Sequence, residues 1–380
     1  MKSIYVDHAA TSPTHPEVVE AMLPYFYEDF GNPSSIHHFG RKTRQAIDEA
    51  RAYLASTINA TEKEIIFTSG GTEADNLAVI GFTMANQNKG KHIITTAIEH
   101  HALLHTCAHL EKQGFEVTYL PVDHSGKISI DELKQAVRED TILVSIMYGN
   151  NEVGTIQPIL QIGEFLQDKG IAFHTDAVQA YGIEDIDVKK LHIDFLSVSA
   201  HKVNGPKGVG FLYATNTKKI YPNLFGGDQE RKRRAGTENV AGIVGLKKAA
   251  KIAFEKREAR REEYFAFRQR MLTLFSDHNL DFEINGDDNE CLPHILNVSF
   301  HGVGVESFLV NLDLAGIAAS SGSACTAGSL EPSHVLAAMF PNDKQRTMSA
   351  VRFSFGLGNT LEEIEQVAKE TVKIIQRIKQ

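Results

Sequence analysis

The sequence has little cysteine, no long apolar run, no surplus of positive charge and no internal repeat, and each shortage removes a class of protein. Three cysteines in 380 residues, Cys107, Cys291 and Cys325, are too few and too scattered for a disulfide framework. Each is either buried filler or a reactive thiol. No window approaches the length of a membrane span, and residues 1–12 lack the apolar stretch of a signal peptide, so a cytoplasmic protein with no membrane partner is expected. A net charge of −9 argues against non-specific binding to nucleic acid or anionic lipid. The charges from Arg257 to Arg270 mix both signs at helical spacing and read as a solvated helix face.

What is present is a chain long enough for two cores. From Glu64 onward strand and helix patterns alternate. Strands are expected at Ile65-Ile-Phe-Thr, His92-Ile-Ile-Thr-Thr, Glu116-Val-Thr-Tyr-Leu, Ile142-Leu-Val-Ser-Ile-Met, Ile171-Ala-Phe-His-Thr, Phe195-Leu-Ser-Val and Val209-Gly-Phe-Leu-Tyr. Several are nearly unbroken apolar runs, as strands covered on both faces are. The pattern predicts an α/β protein with an open, mostly parallel seven-stranded sheet flanked by helices, its ligand lying beyond the carboxyl ends of the strands. Helices are expected at Pro16–Phe30, from about Gly40 to Thr57, and as one long charged element over Lys247–Phe275 that bridges to a smaller α+β domain. On this division residues 16–255 form the large domain and 256–380 the small one, with residues 1–15 joining the small domain.

The chemistry gathers at strand ends. Phe195–Val198 runs into Ser199-Ala-His-Lys before Asn204-Gly-Pro turns the chain away. Lys202 is either an ordinary surface lysine or a buried amine, neutral enough to form a Schiff base with a carbonyl. Thr68-Ser-Gly-Gly-Thr-Glu-Ala-Asp opens a helix after the first sheet strand, which places free N–H groups and a positive dipole end where a single phosphate would sit. Asp176 follows another strand and suits either a helix N-cap or a partner for a protonated pyridine nitrogen. The strands that carry Asp176 and Lys202 need not be neighbours. His101, His105 and His109 share one helix face, as metal ligands or as solvated histidines. His100 stands apart at the strand-to-helix junction, where its ring could lie on a cofactor.

In order along the chain, Ser69-Gly-Gly-Thr-Glu, Glu99-His, Asn150-Asn-Glu-Val-Gly, Asp176-Ala-Val-Gln, Ser199-Ala-His-Lys, Arg234-Ala-Gly-Thr and Ser320-Ser-Gly-Ser-Ala-Cys-Thr resemble the signature set of cysteine desulfurases. These are fold-type I pyridoxal-phosphate enzymes of the class V aminotransferase superfamily, and the block around Cys325 is similar to that of the NifS/IscS-like, long-loop group. The resemblance implies pyridoxal 5'-phosphate held by Lys202, with Asp176 at the pyridine nitrogen, Gln179 at the phenolic oxygen and His100 stacked on the ring. It implies phosphate contacts from Gly71, Thr72, Ser199 and His201, and from Thr237 of the second subunit of a homodimer, with Arg231–Arg234 supporting the phosphate side. Asn151 and Arg352 would fix the carboxylate of the substrate, L-cysteine. Cys325, on a loop expected over residues 320–332, would take the substrate sulfur as a persulfide, with His100 accepting the thiol proton. No metal is implied, and Cys107 and Cys291 read as bystanders.

Ala200 stands where the family often has Gly, a small change for the phosphate cradle. The last helix pattern ends without the extension by which some members dock an iron–sulfur scaffold. A tRNA-thiolating enzyme is therefore as plausible a sulfur acceptor as such a scaffold. The competing readings are an aminotransferase or lyase acting on another small amino acid, which has no need of Cys325, and a non-catalytic sulfur-carrier platform, which has no need of Lys202.

Overall fold

The computed structural model describes residues 3–322 and 333–379. A short N-terminal strand, β1 (Ile4–Tyr5), is followed by β2 (Ile65–Thr68), β3 (His92–Thr96), β4 (Glu116–Leu120), β5 (Thr141–Ser145), β6 (Ala172–Asp176), β7 (Phe195–Ser199) and β8 (Gly210–Ala214). The last seven form one sheet in the order β2-β8-β7-β6-β5-β3-β4. Pairing is parallel from β7 through β6, β5 and β3 to β4, and only β8 runs against its neighbours β7 and β2. Because β8 is reversed on both sides, β2 points the same way as β7, and the carboxyl ends of all the parallel strands open on one edge.

Burial explains why these runs become strands. Every residue of β2, β3, β5, β6, β7 and β8 is buried, and only the outer edge strand β4 exposes part of its length. Ile94, Val144, Phe173, Leu196 and Phe211 pack on one face, and Ile66, Ile93, Leu143, Phe195 and Leu212 on the other. A side chain fully removed from water contributes roughly 1.5–3 kcal/mol. Clothing both faces is what holds a parallel sheet together.

A second core lies around β9 (Phe282–Asn285), β10 (Ile295–Phe300), β11 (Ile317–Ala318) and β12 (Ala350–Ser354). β10 pairs antiparallel with β9 and β12, while β1 runs parallel to β11. The N-terminal strand thus starts in the second core, and the residues after it cross to the first.

Two expected helices are divided. The segment from Pro16 is two short helices, Pro16–Met22 and Pro24–Tyr27, because Pro24 lacks the N–H that would continue the first and instead opens the second. The expected helix over 247–275 is two helices, Val240–Glu255 and Arg257–Asp277, parted at Lys256 (φ −108°, ψ 6°). No glycine or proline marks this break. Its cause is packing: Ile243, Leu246 and Ala250 belong to the first core, and Tyr264, Phe267 and Met271 to the second. Among the described residues no helix is long and apolar enough to cross a membrane.

Candidate active site

The carboxyl ends of β2, β3, β5, β6 and β7 converge on a pocket of about 440 Å³, within the size range of small-molecule sites. After β2, Gly70 takes φ 152°, a conformation open to glycine alone, and the chain turns directly into the helix Gly71–Asn86. Gly71 and Thr72 line the pocket, so the unpaired N–H groups of the first helical turn face it. Ser199 and His201 stand in the same wall. Burial, helped by the positive charges of Lys202 and Lys207, pulls the His201 pKa down to about 4, so the ring is neutral. Its Nδ1 lies 3.0 Å from Thr11 Oγ1.

Asp176 faces Ser197 across β6 and β7, so Asp176 and Lys202 stand at the ends of adjacent parallel strands. Asp176 satisfies both readings of its position. Its Oδ1 accepts the Val178 N–H at 2.9 Å, while the carboxylate still lines the pocket. Burial raises its pKa, against the Val178 N–H and the charge of Lys202. Lys202 is no surface lysine: it lines the pocket, and its Nζ donates to the carbonyl oxygens of Ala9 and, at 2.8 Å, Ala10. Gln179 Nε2 also donates to Ala9, at 3.0 Å, and its Oε1 lies 3.2 Å from His294 Nε2.

His100 caps the helix His101–Glu111, its Nδ1 accepting the Ala102 N–H at 3.1 Å. Burial first, then the charge of Lys202, brings its pKa to about 4. The neutral ring therefore carries its proton on Nε2, and it takes up another only if the cap bond opens. That places a proton donor where the resemblance implies an acceptor. Arg352, on β12, is 2% exposed. Its Nη2 meets Asp7 Oδ1 at 2.8 Å and its Nη1 donates to the Asn151 carbonyl at 2.9 Å, while its buried Nε has no partner. Arg352 and Asn151 both line the pocket.

Thr237 is exposed and lies outside this lining. Arg231–Arg234 do not reach the pocket either. Arg234 pairs with Glu73 at 2.8 Å, and Arg231 and Arg233 donate to the carbonyls of Glu62 and Lys63. Cys325 falls outside the described residues, but Gly322 lines the pocket. Cys107 and Cys291 are buried away from it, and burial pushes the Cys107 thiol up to about 12. The His101 ring stacks on His105 at 5.2 Å and lies 4.7 Å from His334. Among the described residues no group of three such side chains is arranged to hold a metal ion.

Sequence reasoning missed Ala9, Ala10, Asp7 and Asp75. The two alanines act through carbonyl oxygens, which carry no signal in sequence. Asp75 sits in a fully buried stretch of helix between Ala74 and Leu77 and lines the pocket, with Oδ1 3.5 Å from His174 Nε2 and without a hydrogen-bond partner. A carboxylate one turn into an apolar helix is a signal that could have marked it.

Residues 4–367 match the family described as aminotransferase class-V. The chain belongs to the class V aminotransferase family. A Bacillus subtilis protein named putative cysteine desulfurase IscS 1 is 59% identical over 378 residues, with 100% of each chain covered. A solved structure titled NifS-like protein superposes with a TM-score of 0.93 at 35% identity, covering 99% of this chain and 100% of that one. Another, titled SspA in complex with cysteine, gives a TM-score of 0.82 at 37% identity, covering 92% and 98%. This class V family member falls among the cysteine desulfurases, and its cofactor is pyridoxal 5'-phosphate. The donor set fits that group: a helix N-terminus with two hydroxyls for a phosphate, a buried carboxylate for a ring nitrogen, and an amine on the next strand.

Proposed function

We propose that this chain takes sulfur from L-cysteine, releases L-alanine, and holds the sulfur as a persulfide on Cys325 for transfer to an acceptor protein. The observation that carries this is the meeting of Lys202, Asp176 and Arg352 in one pocket whose wall includes Gly322. Cys325 follows Gly322 by three positions. Three residues of extended chain span at most roughly 11 Å, which tethers the thiol to the pocket wall.

Lys202 holds the cofactor through its amine, and Gly71, Thr72, Ser199 and His201 hold the phosphate. Asp176 takes the ring nitrogen, Gln179 the phenolic oxygen, and His100 packs on the ring. Bound there, pyridoxal phosphate supplies an electron sink for charge developing at the substrate α-carbon. Arg352 binds the substrate carboxylate, for which its partnerless Nε is available, and Asn151 orients the arginine through its carbonyl. Lys202 moves the α-proton, and His100 keeps its proton at Nε2 beside the substrate. The Cys325 thiolate attacks the substrate sulfur: an S–S bond forms, the C–S bond breaks, and the carbon takes a proton to become the methyl group of alanine. Acceptors that serve tRNA thiolation or iron–sulfur assembly suit such a persulfide. We also assign a homodimer, in which Thr237, exposed in its own chain, reaches the partner's phosphate site.

Two variants test the assignment. Lys202→Ala should lose the visible absorbance of the bound cofactor. Cys325→Ser should keep that absorbance and lose sulfide release from L-cysteine by at least about a hundredfold. Retained absorbance in the first, or normal turnover in the second, removes the corresponding residue from its role.

A further inference from the structure

Glu152 is 3% exposed and does not line the cofactor pocket. Its backbone is held from several sides. Asn150 Oδ1 accepts the N–H groups of Glu152 and Val153 at 2.8 and 3.0 Å, and Asn150 Nδ2 donates to the Ile98 carbonyl at 3.0 Å. The Glu152 carbonyl accepts Asn297 Nδ2 from β10 at 3.1 Å. The carboxyl group is thus presented by a frame common to the turn after β5 and the second core.

Its Oε2 accepts a hydrogen bond from Ser333 Oγ. The same Oε2 lies so close to Gly322 that a methyl group there would come within 1.9 Å of it. Ser333 caps the helix His334–Met339 through the N–H groups of Val335 and Leu336, at 3.1 and 3.3 Å. On the other side, Ser320 exchanges backbone bonds with Arg352, at 2.7 and 3.3 Å. Gly322 and Ser333 are the described residues on either side of 323–332, the stretch that contains Cys325. Burying a carboxyl group is costly unless it is bonded, and here Ser333 and the charge of Arg352 offset the burial.

The geometry points to Glu152 as a positioning residue for sulfur transfer, its one carboxylate oxygen pinning both ends of the stretch that carries Cys325. The inference rests on Cys325 being the acceptor of the substrate sulfur. Pinned ends lower the entropy of bringing a tethered thiol onto its target, and a displacement of about 1 Å from attack geometry costs on the order of a hundredfold.

The test is single-turnover sulfur transfer in the full-length holoenzyme, read as protein-bound sulfur formed per L-cysteine. Cysteine binding is followed in parallel through the spectrum of the bound cofactor. Glu152→Ala should slow transfer by about ten- to a hundredfold, with cofactor content and cysteine affinity within about twofold of wild type. Glu152→Gln keeps an oxygen acceptor for Ser333 and should recover most of the rate. Ser333→Ala should slow transfer by a smaller factor, and adding it to Glu152→Ala should cost nothing more. Wild-type transfer in Glu152→Ala, or a loss matched by an equal loss of cysteine affinity, overturns the inference. If Glu152→Ala does not fold, Ser333→Ala decides, and wild-type transfer there overturns it. Cys325→Ser run alongside separates the two levels. Normal transfer in that variant defeats the functional reading itself, whereas inert Cys325→Ser beside wild-type Glu152 variants defeats only this step.

Discussion

Glu99 stands one residue before His100, sealed from solvent, with Oε1 accepting the Met147 N–H at 2.9 Å and the Thr96 hydroxyl at 2.8 Å. Its Oε2 has no partner. Burial lifts its pKa from 4.5 to about 8, against the two donors. A carboxyl group whose pKa is higher folded than unfolded holds its proton more tightly in the native state. Its contribution to stability is therefore complete below about pH 4.5 and is lost as pH rises through about 8. Glu99→Gln keeps the same acceptor and removes the titration. Wild type should lose on the order of a few kcal/mol relative to this variant between about pH 5 and 8, at about 1.4 kcal/mol per pKa unit. Thermal unfolding at a series of pH values checks this, and parallel curves for the two proteins would refute it. Asp75, Asp176 and Glu152 are also raised by burial, so the slope of wild type alone cannot isolate Glu99, whereas the difference can.

At the scale of elements, the seven strands of the large sheet were legible because apolar runs of this length have few other places to go. The expected starts agree with the observed ones to within one residue at each of them. Short or half-exposed elements were not legible: β9 is only partly covered, and the helices Ile130–Ala136 and Lys344–Met348 bury little apolar surface. The break at Lys256 lay beyond local reading because it follows from which core each half of the segment meets, a tertiary cause. In the site, side chains that bring unusual chemistry to a strand end, such as Lys202, Asp176 and His100, could be picked out from composition and position. The carbonyls of Ala9 and Ala10 and the Asp7 partner of Arg352 could not, since their roles depend on contacts across nearly the whole chain.

For the whole molecule, large apolar side chains crowd one region of the exterior. Phe26, Phe30, Ile36 and Phe225 are 63%, 64%, 91% and 86% exposed, and Arg44 ties their two segments together through the Pro33 carbonyl and Glu238. Exposed apolar patches of this kind mark protein interfaces, and a homodimer that lends Thr237 to its partner uses this one. Ile36→Asp and Phe225→Asp should each weaken self-association by tenfold or more in sedimentation, and lower cofactor retention with it. Dimers of unchanged strength would count against that face. The central claim concerns where one sulfur atom goes, and mass mapping of the holoenzyme after a single exposure to L-cysteine, without acceptor, reads this directly. One added sulfur on Cys325, none on Cys107 or Cys291, and one alanine released per sulfur bound is the predicted result. Alanine released with Cys325 unmodified, or sulfur found on either buried thiol instead, would contradict it.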